Sequence, residues 1–160
     1  MRRPRLRQAV GVFYEAGRLQ QTLDTLTMAS IDLADLAILA RREAIDTNLR
    51  PHLEKMDSGV LRDLLQEMIV VGPVSQAGPL FISRGHLAEF LSRTSKDEGM
   101  AKPFPGGHLS DRHSAFLQDQ LDAGACLLWV TIRNGDDEKT AGAALLRHSR
   151  HQVQMRDFVG

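Results

Sequence analysis

AVGVFYEAGRLQQTLDTLTMASIDLADLAILA, which spans residues 9–40, has the pattern of a strand, a helix and a second strand. Residues 125–158 repeat this pattern with ACLLWVTIR, DDEKTAGAALLRHS and HQVQMRDF. A single unit of this kind cannot bury its apolar faces alone, so two units usually merge into one sheet. The repeat therefore predicts an α+β fold with a ferredoxin-like, four-stranded antiparallel sheet built from two βαβ units.

The sequence predicts a single domain, residues 1–160, and this length suffices for an ordinary core. Its parts are the first βαβ unit at 9–40, a mainly helical insert with loops at 41–107, and a helix plus the second βαβ unit at 108–160. The strands are expected near residues 9–14, 34–40, 125–133 and 152–158, with the first and third paired at the centre of the sheet.

Apolar residues at helical spacing mark the buried side of each predicted helix. In the first helix this stripe consists of Ala16, Leu19, Leu23 and Leu26. Gln20 is expected to face water. Asp136 or Asp137 is expected to cap the last helix, and Gly124 to end the helix before ACLLWVTIR.

The insert is expected to be helical on both sides of an irregular stretch. Helices are predicted over 59–70 and 85–95, with buried positions Leu61, Leu65, Met68, Leu87 and Phe90. Between these helices, VVGPVSQAGPLFIS contains two Gly-Pro pairs, which are typical of irregular structure.

The composition is that of an ordinary globular protein, with 42% apolar and 25% charged residues among 160. Twenty basic residues balance twenty acidic ones, so no global field attracts nucleic acid, and none is expected as a partner. The single cysteine, Cys126, excludes an internal disulfide and a cysteine-based metal cluster, and its apolar strand predicts a core residue. These features favour a cytoplasmic protein.

The N-terminal sequence MRRPRLR carries Arg2, Arg3, Arg5 and Arg7. It lacks the apolar stretch that follows such charges in a signal peptide, and no apolar run is long enough to predict a spanning helix. A basic arm can contact a membrane surface through its charge. A short arm without aromatic residues is more often a solvated, mobile terminus, which is the interpretation we favour.

Both ends of the chain resemble a known family. AVGVFYEAGRLQQTLDTLTMASIDLADLAIL at 9–39 and LSDRHSAFLQDQLDAGACLLWVTIRNGDDEKTAGAALLRHSRHQVQMRDF at 109–158 are similar to bacterial general-stress-protein-like domains, which are related to heat-induced stress proteins. Members often carry a Gly/Ala-rich, membrane-like middle, whereas this chain has Arg84, His86 and Glu89 there. The resemblance implies a fold and a stress context, and it implies no particular reaction.

The histidines are the candidate metal ligands. His108, Asp111 and His113 lie close together in sequence, and His148 lies at the end of the last helix. A zinc or di-iron site uses ligands at i,i+3 or i,i+4 on one helix together with ligands from elsewhere, and His108 and His113 do not have that spacing. We therefore expect helix caps and surface histidines, and predict no metal, no cofactor and no catalytic residue.

Two functions from different classes remain. The first is a non-enzymatic regulatory or accessory-subunit module that acts through protein–protein contacts, as a homo-oligomer or as a subunit of a larger assembly. Its candidate interface is formed by Leu127, Trp129 and Thr131 on one face of ACLLWVTIR, which either a second chain or the insert must cover. The alternative is an enzyme or metal-binding protein that uses a site at His108, Asp111 and His113.

Overall fold

Six strands form one antiparallel sheet in the computed structural model, which describes residues 5–55, 59–66, 68–75, 78–83, 85, 87–88, 111–149 and 154–159. In chain order the strands are β1 (Arg5–Phe13), β2 (Leu36–Arg41), β3 (Met68–Ser75), β4 (Gly78–Ser83), β5 (Cys126–Thr131) and β6 (Gln154–Val159). Across the sheet their order is β3-β4-β2-β5-β1-β6. The α+β class is confirmed, and the sheet is wider than the four strands expected.

The helices fall between these strands. They are α1 (Ala16–Met28), α2 (Arg42–Ala44), a π-helical segment (Ile45–Leu49), α3 (Arg50–Lys55), α4 (Gly59–Gln66), α5 (Asp111–Asp122) and α6 (Gly135–His148). A 3-10 turn, Leu33–Asp35, leads into β2.

Pairing of β1 with β5 at the centre of the sheet is confirmed. The two strands are antiparallel, with Val10 opposite Trp129. β1 begins at Arg5, so the sequence expectation of a solvated arm was wrong for its second half. The guanidinium of Arg7 donates from Nε and Nη2 to Oε1 of Glu138, at 2.9 and 2.6 Å, which holds the strand against α6. Arg2 and Arg3 lie outside the described residues.

The insert supplies two strands, which corrects the expectation of a mainly helical segment. Helix α4 ends at Gln66, and Met68 begins β3 instead of continuing the helix. β3 and β4 form the hairpin in the stretch where two Gly-Pro pairs predicted irregular structure, and β4 joins the sheet beside β2. Of the second predicted helix, 85–95, only residues 85 and 87–88 are described.

The sheet is covered on both faces. We call the face that contacts α1, α4 and α6 the major face and the opposite face the minor face. The major-face core contains Leu19, Leu23, Leu61, Leu128 and Leu145, among others. The minor-face core contains Val10, Leu39, Leu117, Leu121 and Trp129, among others. Leu117 and Leu121 belong to α5, so this helix covers the minor face from within the same chain.

The predicted buried face is confirmed for α1, whereas in α4 Leu61 is buried and Leu65 is only half-buried. All four stripe residues of α1 are buried, but so is Gln20, which was expected to face water. The reason is a partner from another element: Oε1 of Gln20 lies 2.5 Å from Nε2 of His52 in α3. A polar side chain is buried at low cost when it is hydrogen-bonded in this way.

The two predicted helix ends differ in outcome. Helix α5 ends as expected: Gly124 has φ 99°, and Ala125 N donates to Gln120 O at 2.9 Å, as in a Schellman cap. The cap of α6 was predicted two or three residues too late. Asn134 is the cap, since its Oδ1 accepts from Asp137 N at 2.8 Å, whereas Asp136 and Asp137 lie in the first turn.

Candidate functional site

The candidate metal ligands are only partly described. His108 lies outside the described residues, and Asp111 and His113 lie in the first turn of α5, where the backbone alone is described. In the part of the chain that the structure describes, no group of three His, Cys, Asp or Glu side chains is placed to hold a metal ion.

His148, the fourth candidate, is half-buried at the end of α6. Burial lowers the pKa of its imidazole, and the positive charges of Arg147 and Arg18 lower that pKa further. The same two charges that disfavour a proton on the ring also disfavour a metal cation beside it.

Cys126 lies in the major-face core and is almost completely buried. Burial raises the pKa of its thiol to about 12, so the thiol stays protonated and unreactive near neutral pH. This agrees with its predicted place in the core.

The three candidate interface residues lie inside the chain. Leu127 and Trp129 have no exposed surface, and Thr131 has little. Leu127 and Trp129 share the minor-face core with Leu117 and Leu121 of α5. Leu87 and Ala88 of the insert belong to the same core, so this face is covered from within the chain by α5 and in part by the insert, and a second chain does not cover it.

A buried polar pair, which the sequence pattern does not predict, lies at one end of the minor face. Nε2 of Gln8 donates to Oγ1 of Thr131 at 2.6 Å, and the two residues lie opposite each other in β1 and β5. Gln8 is two residues before Val10 and four before Val12, and this spacing places it on the same buried face of the strand. A buried pair of this kind favours one register, because a shift by one residue leaves both groups without this bond.

The two outer strands of the sheet differ in charge. β6 has the sequence QMRDFV and carries Arg156 and Asp157, and charged residues are a common means of protecting an edge strand from pairing. β3 has the sequence MIVVGPVS and carries no charged residue. Val70, in the middle of its first half, is 53% exposed.

The first half of β3 is a regular strand. Met68, Ile69, Val70 and Val71 pair in turn with Ser83, Ile82, Phe81 and Leu80 of β4. The register becomes irregular between Val71 and Ser75. We call residues 68–71 the open edge, because no strand of the described chain pairs with their outer side.

Val70 lies on the major-face side of the sheet, because it is opposite Phe81, which packs against the major-face core. The guanidinium of Arg42 lies 5.8 Å from the centre of the Phe81 ring. Ile69 points to the other face, where it packs against the minor-face core. The open edge thus has outward-facing backbone groups and one exposed valine, and its inner side is paired with β4.

Comparison of the chain with models of protein families, with curated proteins and with solved structures finds no match. Among the helices that the structure describes, none is both long and apolar enough to cross a membrane.

Proposed function

We propose that this chain is a non-enzymatic interaction module, a regulatory or accessory subunit that binds another protein along the open edge of β3. The observation that carries the proposal is the contrast between the two outer strands. β6 is charged, whereas residues 68–71 of β3 are uncharged, regular and centred on the exposed Val70.

The physical basis is strand addition. An outer strand presents unpaired N–H and C=O groups, and an extended segment of another protein can bond to them as a further strand. Backbone bonds supply part of the affinity, and side chains on the two faces supply specificity. Among the side chains of Met68, Ile69 and Val70, that of Val70 is exposed, and a partner with an apolar residue opposite it would bury its methyl groups.

We further propose that β2, β5, β1 and β6, with α1 and α6, form a ferredoxin-like unit to which the β3–β4 hairpin is added beside β2. Two features support this assignment. β1 and β5 pair at the centre of these four strands. Helices α1 and α6 contact each other and follow β1 and β5 in the chain. In this arrangement the hairpin is an addition that displaces the sheet edge outward, from β2 to β3.

The likeness of residues 9–39 and 109–158 to bacterial general-stress-protein-like domains supports a stress-related role for the module, and the single cysteine fits a cytoplasmic location. This part of the proposal names a setting and leaves the partner to experiment.

Site-specific photo-crosslinking in cells tests the proposal. A benzophenone amino acid replaces Val70 in one variant and Leu146 in the control, a residue of α6 that is 64% exposed. We expect a discrete adduct of higher mass from position 70 and none from position 146. No adduct at position 70, or equal adducts at both positions, would reject the open edge as the binding surface. Mass spectrometry of the adduct identifies the partner.

A further inference from the structure

We infer that the partner at the open edge is a second copy of this chain, joined by antiparallel pairing of β3 with β3 about a two-fold axis at Val70. This inference rests on the proposed function and adds the identity of the partner.

Symmetry limits the registers that are open to such a pair. A two-fold axis perpendicular to the sheet keeps every side chain on its own face. Residues that lie opposite each other point to the same face, so the axis must lie midway between the two copies of one residue. With the axis at Val70, this residue meets its own copy, and Ile69 meets Val71 of the other chain. The exposed side chains of the two Val70 residues then cover each other on the major face.

The absence of charge from β3 permits a symmetric pair. Like charges directly opposite each other destabilise a strand pair, and residues 68–75 contain none. The whole chain has a formal net charge of zero at pH 7, so two copies do not repel each other at long range. β6 carries Arg156 and Asp157, and a symmetric pair with its axis at either residue would place like charges directly opposite each other.

The length of the regular strand limits the affinity. Four residues pair regularly before the irregular stretch that follows Val71, so few backbone bonds can form across the axis. We therefore expect a reversible dimer whose population rises with protein concentration, and we expect Val70 to have a large effect on it.

Two charge variants and their mixture test the inference. In Val70→Lys and in Val70→Glu, the symmetric pair places like charges opposite each other, so we expect each variant to dimerise at least about tenfold more weakly than the wild type. In an equimolar mixture of the two variants, lysine meets glutamate, and we expect dimers to reform. Leu146→Lys, on the exposed side of α6, is the control and should dimerise like the wild type. Sedimentation velocity over a concentration series measures all five samples, and circular dichroism shows that each is folded.

Three results would overturn the inference. The first is a wild type that remains monomeric at every concentration, and the second is a pair of charge variants that dimerise as well as the wild type. The third is a mixture that does not recover, since the axis would then not lie at Val70. If the wild type is monomeric while crosslinking at position 70 still captures a different protein, the proposed function stands and only the identity of the partner is wrong.

Discussion

Trp129 is a core residue, although its place in the sequence predicted a contact with a second chain. The ring has no exposed surface and lies in β5 opposite Val10, beneath Leu117 and Leu121 of α5. A large aromatic in an apolar strand is equally consistent with a core position and with a contact between chains. The sequence shows that the ring must be covered, whereas the identity of the cover depends on where α5 packs.

Replacing Trp129 by alanine should lower the free energy of unfolding by about 3–5 kcal/mol, because it leaves a large cavity between β5 and α5. Leu146→Ala is the control, since Leu146 is exposed and its truncation should change stability by less than about 0.5 kcal/mol. Urea unfolding followed by circular dichroism measures both. A loss below about 1 kcal/mol for the tryptophan variant would show that the minor face is not packed as described.

At the scale of elements, the β3–β4 hairpin accommodates two prolines that predict irregular structure in the sequence. Pro73 lies where the register of the hairpin is irregular, between Val71 and Ser75. Pro79 lies at the start of β4, before the residues that pair with β2. Proline is tolerated at bulges and at the first residues of a strand, so both positions are compatible with a hairpin. The β-branched run at residues 69–71 was the signal for the first strand.

The cap of α6 gives a prediction at the same scale. Asn134→Ala removes the oxygen that accepts from Asp137 N, so we expect a loss of about 1 kcal/mol in the free energy of unfolding. Asn134→Asp keeps an oxygen in the same place and should retain most of the stability. Chemical unfolding of both variants tests the assignment. Equal losses for alanine and aspartate would show that the side-chain oxygen does not cap this helix.

At the scale of the whole molecule, the sequence predicted what depends on local pattern and missed what depends on long-range packing. The strand–helix–strand repeat correctly placed β1, α1, β2, β5, α6 and β6, because their apolar spacing is strong. The same spacing gave no information on which face α5 covers. For the candidate site, the absence of charge from residues 68–71 was visible in the sequence. Its importance depends on β3 being an outer strand, and only the topology shows this.

In the proposed dimer, the open edge of β3 receives a strand from another copy of the chain. Hydrogen exchange of the wild-type protein, followed by mass spectrometry across a series of protein concentrations, shows whether it does. We expect the peptide that covers residues 68–75 to exchange more slowly as the concentration rises, because its outward amides become bonded, while the peptide that covers residues 154–159 stays unchanged. Exchange in β3 that does not depend on concentration, or new protection in β6 instead, would show that β3 does not pair with a second copy.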